Sequence, residues 1–118
     1  PYLDEIHHAI VTHSYSANVT PETLEAQIVQ DADRLDSLGA IGIARCLYVG
    51  QSFNAELYKH EDPFAKQRDL DDKHYSVDHF YVKLFKLAGT MNTESAKLEA
   101  NKRTDYMRGF LEQLGAEV

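Results

Sequence analysis

The sequence predicts an all-α domain. Apolar residues recur at helical spacing along most of the chain, and the breaks between those stretches hold capping and turn residues. No run alternates apolar with polar residues as a half-buried strand would. A hydrophobic fraction of 43% and a charged fraction of 26% are ordinary for a globular protein. A length of 118 residues suits a single core.

The elements follow in order. Leu3, Ile6, Ile10 and His13 form a first helical stripe. Asn18-Val19-Thr20-Pro21 marks a turn, with Thr20 as N-cap and Pro21 at the first helical position, where its missing N–H costs nothing. Leu24, Ile28, Ala32 and Leu35 make the next stripe and are expected to face the core. Gly39 and Gly42 sit in an Ala/Ile/Gly stretch that allows two helices to approach closely. Residues 50–75 read as an irregular excursion holding at most one short helix, because Gly50, Ser52, Asn54 and the Glu61-Asp62-Pro63 turn break the periodicity. The pattern returns from Ser76 through Val77, Phe80, Tyr81, Leu84, Phe85 and Ala88, until Gly89 and Asn92 end it. Thr93 caps a last helix of roughly 21 residues, ~32 Å long at 1.5 Å per residue. Gly115 is expected at its C-cap.

Charge and composition exclude several functions. Twelve basic against nineteen acidic residues give a net charge of −7, which disfavours non-specific nucleic-acid binding. The most apolar run, residues 39–44, is far shorter than a membrane span and ends at Arg45. The chain does not open on a basic segment followed by an apolar core, as a secretory signal would. Cys46 is its one cysteine, so no internal disulfide forms and a cytoplasmic location is expected. Cys46 itself reads as buried packing, since no base lies near it in sequence.

The chemistry concentrates around Gln30-Asp31-Ala32-Asp33-Arg34-Leu35-Asp36, three carboxylates in six positions of a helix. Asp33 falls on the side of Val29 and Asp36, so it is expected to face partly inward. An inward carboxylate must be paired, hydrogen-bonded or metal-bound. The alternative is a capped or kinked helix with exposed acids. His74 and Asp78, at i and i+4, share a helical face and suit either a metal pair or, more simply, a surface ion pair.

The acidic segment, followed by Gly39-Ala40-Ile41-Gly42, resembles the late aspartate motif of the HD-domain metal-dependent phosphohydrolases. Upstream His13-Ser14-Tyr15-Ser16 fits the same pattern. Glu61-Asp62-Pro63-Phe64, Leu70-Asp71-Asp72-Lys73 and Asp78-His79-Phe80 resemble a small bacterial branch of that superfamily, so the likeness spans residues 8–103. It implies an all-α, HD-domain-like helical bundle with a divalent metal held by an early His, a His-Asp pair and a later Asp.

Only the later Asp maps here, onto Asp33. The sequence contains no His-Asp dipeptide, and His7, His8, His60 and His74 do not substitute for the missing ligands. The resemblance therefore implies that residues 1–118 are the C-terminal part of one HD-type domain, missing the N-terminal helices and inactive alone.

The implied reaction is phosphohydrolysis of a small phosphorylated metabolite, a nucleotide above all, by attack of metal-bound hydroxide on phosphorus. Carboxylate and imidazole ligands suit Mn²⁺, Fe²⁺, Co²⁺, Ni²⁺ or Mg²⁺. His13 is placed at the substrate phosphate in a catalytic role, the alternative being a helix-terminal His that stabilises the dipole. Lys83, Lys73 and, more weakly, Arg103 are candidates for phosphate contacts. A second reading is a non-catalytic helical module that binds a nucleotide or a protein. Uncovered apolar faces also predict low solubility or homo-oligomerisation of the segment alone.

Overall fold

The computed structural model describes residues 22–118. Among them are four α-helices and one 3-10 segment, joined by a long irregular connection. Helix α1 (Leu24–Leu35) begins where Thr23 accepts a 3.0 Å hydrogen bond from the Ala26 backbone N–H. The cap is thus Thr23. Thr20 and Pro21, expected at this boundary, lie outside the described residues, as do His13 and the first stripe. Helix α2 (Gly39–Ser52) follows a tight corner at Gly39, whose φ of 74° favours glycine. Helix α3 is short (Ser76–Val82), and helix α4 is long (Glu94–Glu117).

The fold class agrees with the sequence; several boundaries do not. The periodic stretch from Ser76 is two elements. Regular helix ends at Val82, Lys83 leaves helical geometry at φ −130° and ψ −53°, and a 3-10 segment (Leu84–Thr90) completes the path. Thr93 caps α4 as expected, accepting from Ala96 N–H at 3.2 Å. Gly115 does not terminate it: the helix continues to Glu117, and glycine at 115 makes room for the Phe64 ring. With 24 residues the helix is about 36 Å long.

Helix α4 is the spine, packing on α1, α2 and the 3-10 segment. Leu38, Val77, Phe80, Ala100 and Met107 are fully buried in the core between them. Phe80 stacks on Phe110 at 6.2 Å and meets Phe85 edge-on at 6.1 Å.

Residues 53–75 contain no helix, yet they are anchored. Arg68 grips the fully buried Asp78 carboxylate through Nη1 at 2.5 Å and Nη2 at 3.1 Å. The Asp71 backbone N–H donates to the same carboxylate at 2.7 Å. Arg68 also donates to the Asp62 carbonyl at 3.0 Å and lies over the Tyr75 ring, 4.8 Å from its centroid. His74 pairs with Asp71 at 2.7 Å. His74 and Asp78 therefore do not act together: Asp78 turns into the core and His74 stays exposed.

Candidate functional site

Helix α1 presents two carboxylates to opposite sides. Residues two apart on a helix diverge by about 200°, so Asp31 and Asp33 cannot both face inward. The buried one is Asp31. Its Oδ1 accepts from the backbone and side-chain amides of Asn92 at 2.8 and 2.9 Å. Its Oδ2 accepts from the Thr93 backbone N–H and hydroxyl, both at 2.9 Å. Four hydrogen bonds at the start of α4, where the helix dipole favours a negative charge, offset the cost of burial.

Asp33, expected to face partly inward, is exposed. Leu24 and Ile28, on other faces of α1, are exposed too, at 60% and 52%. The expected core stripe of α1 is thus largely outward. The inward contacts are mostly polar: besides Asp31, Arg34 donates to the Thr90 carbonyl at 2.8 Å, and Arg103 to the Leu35 carbonyl at 2.7 Å. Arg103, also held by Glu99 at 2.7 Å, fastens α1 to α4 and is thereby occupied structurally.

A cavity of about 430 Å³ opens between α2, α3 and the end of the irregular connection. Lys73 and Lys83, singled out separately in the sequence, both line it. Arg45, His79, Asp72 and Cys46 join them. Three full positive charges therefore gather in one cavity of a chain with net charge −7. Neither lysine forms an ion pair among the described residues, and Arg45 is held by the Asp36 carbonyl at 3.1 Å. The His79 ring is fixed through Nδ1 by Asp72 at 2.9 Å.

Glycines shape the floor. A Cβ on Gly42 would lie 2.3 Å from the Ser37 carbonyl carbon, and one on Gly50 would lie 2.4 Å from the Ser76 hydroxyl. Cys46 lies between them; burial, then the Asp72 carboxylate, pushes its thiol up to about 11. It is inert packing, as expected.

Asp33 does not line the cavity, but Ser37, four residues further along, does. Among the described residues no group of three or more His, Cys, Asp or Glu side chains is arranged to hold a metal. Asp33 offers one donor of the right chemistry, a carboxylate oxygen, short of a centre. Arg45 and His79 were missed by sequence reasoning. Their signal is spatial: the irregular connection and α3 bring residues 34 positions apart to one wall.

No protein-family model matches the chain. It is 35% identical over 98 residues to the uncharacterized protein YpgQ of Bacillus subtilis strain 168, a match spanning 83% of this chain and 42% of YpgQ. The crystal structure of B. subtilis YpgQ in complex with ADP superposes with a TM-score of 0.77 at 33% identity, covering 98% of this chain and 52% of that one. An HD-superfamily hydrolase from Bacillus thuringiensis gives a TM-score of 0.67 at 33% identity, with coverages of 96% and 61%. The chain thus spans about half the length of the relatives it matches. Sequence likeness and helical architecture agree: the chain is similar to the HD-domain superfamily over nearly all of its length.

Proposed function

We propose that this chain contributes to a metal-dependent phosphohydrolase whose substrate is a small phosphorylated metabolite, most simply a nucleotide. The observation that carries the reading is the cavity in which Arg45, Lys73 and Lys83 converge. Cations clustered in a concave site offset phosphate charge where the net charge of the chain would repel it. The ADP bound to the related YpgQ supports a nucleotide as the ligand.

Asp33 is proposed as one ligand of a divalent cation, with the remaining ligands outside the described residues. When bound, such a cation polarises the phosphoryl group and activates water. The chain's own residues hold the substrate: Lys73, Lys83 and Arg45 take the phosphate oxygens, and His13 assists there. The Asp31 carboxylate keeps α1 seated on α4, and so holds the Asp33 face in place.

The test is Asp33→Ala in the full-length protein. Bound metal by elemental analysis and phosphate release from a nucleotide and phosphomonoester panel fall together, while the helical circular-dichroism signal is kept. Undiminished metal and activity would refute the assignment. Residues 1–118 alone are expected to bind divalent cations weakly and to release no phosphate. The second reading, a nucleotide-binding module without catalysis, is favoured by the lack of a complete ligand cluster among the described residues. It predicts ADP binding with no hydrolysis by the full-length protein under any divalent metal.

A further inference from the structure

We propose that His79 is the proton donor to the leaving oxygen of the phosphoryl substrate, with Asp72 as its positioning residue. The inference rests on the phosphohydrolase reading and deepens it by assigning a catalytic role that the lysines cannot share. Three observations support it. First, His79 lines the cavity together with Arg45, Lys73 and Lys83. Second, its Nδ1 is engaged by Asp72 Oδ2 at 2.9 Å. An ionised carboxylate only accepts, so Nδ1 carries a hydrogen and the ring orientation is fixed. Third, Nε2, on the opposite side of the ring, makes no hydrogen bond among the described residues, and the residue is only partly exposed. An imidazole clamped at one nitrogen and open at the other beside a cationic cavity is arranged for proton transfer, not for packing.

Chain geometry explains the juxtaposition. Ser76, His79 and Lys83 recur at i, i+3 and i+7, so one face of α3 and the residue just beyond it line the cavity wall. Asp72 lies near the end of the irregular connection that Arg68 and Asp78 fasten to the core, so the carboxylate is delivered from an anchored segment. Asp72 contacts the His79 ring, and Arg45, Lys73, Lys83 and Cys46 line the same cavity.

In the step itself, the oxygen of a water molecule forms the new bond to phosphorus and loses a proton to solvent. The bond from phosphorus to the leaving oxygen breaks, and its electron pair stays on that oxygen. That oxygen takes the proton from Nε2 of the imidazolium. Asp72 stabilises the charged ring before transfer and keeps its orientation afterwards, and solvent then reprotonates it. Water and phosphoester thus become free phosphate and a protonated leaving group, with no other reagent consumed.

The test uses the full-length protein with Mn²⁺, the best substrate from the panel, and its analogue carrying sulfur at the bridging position. A thiolate departs without a proton, so it bypasses the donor. His79→Gln is expected to lower kcat on the oxygen substrate by about 10²-fold or more, while the deficit on the sulfur analogue shrinks by at least about tenfold. ADP affinity, read by calorimetry without turnover, is expected to stay within about threefold of wild type. Lys83→Ala, in contrast, weakens ADP. Asp72→Asn reproduces the same selective loss in smaller measure and provides a second variant should His79→Gln fold poorly. Equal deficits on both substrates, an unchanged kcat, or a loss of ADP binding that accounts for the whole effect would each overturn the role of His79 and leave the phosphohydrolase reading standing. A wild-type protein that hydrolyses nothing removes that reading, and this inference with it.

Discussion

The irregular connection and helix α1 invert what their sequences suggest. Residues 53–75 have no periodicity, yet a bidentate Arg68–Asp78 pair with one carboxylate fully buried ties them to the core. Helix α1 has a clean apolar stripe, yet Leu24 and Ile28 are exposed and the buried residues are Ala26, Gln30 and Asp31. Pattern alone marks an apolar face; it does not say what covers it. Order without pattern comes from a few long-range polar contacts whose partners lie far along the chain. The relatives, about twice as long, have chain to spare for the bare side of α1.

The comparison can be broken most forcefully at Arg68. Arg68→Leu leaves the Asp78 carboxylate buried without its partner, and should lower unfolding free energy by about 3–5 kcal/mol, read from urea denaturation. A loss below about 1 kcal/mol would mean the connection is held by something else. Next is Asp31→Ala, which strands the amides of Asn92 and Thr93 and should destabilise by about 1–3 kcal/mol in the same assay. Ile28→Gln on the outward stripe should change stability of residues 1–118 by no more than about 0.5 kcal/mol. It should also reduce self-association in sedimentation; a large destabilisation would place that stripe in a core.

The gentlest probe is pH. Backbone N–H groups of Gln67 and Lys66, at 2.9 and 3.0 Å, hold the Asp62 carboxyl below the usual carboxylate range. Its folded value is the lower one. Its contribution is therefore complete above the usual range and disappears as pH falls through the folded value. Amide chemical shifts of Lys66 and Gln67 should move with that titration.

The helical class, the excursion and the Thr93 cap were legible because they follow from local spacing and capping chemistry. The face of α1 was not, because the choice between Asp31 and Asp33 is made by Asn92 and Thr93, more than sixty positions away. The break at Lys83 was hidden because Leu84, Phe85 and Ala88 keep helical spacing through a 3-10 turn. At the site, Lys73 and Lys83 could be named one by one. Their convergence, and the recruitment of Arg45 and His79, depends on the path of the intervening chain.

Gly42 has a consequence for evolution and engineering alike. Any side chain there would strike the backbone at Ser37, so this close approach of the corner to α2 is open to glycine alone. The corner lies between the aspartate a turn before Ser37 and the cavity wall that Gly42 and Arg45 line. Reshaping the cavity must therefore proceed through its other walls, because at this corner its gauge is set by an atom that is missing.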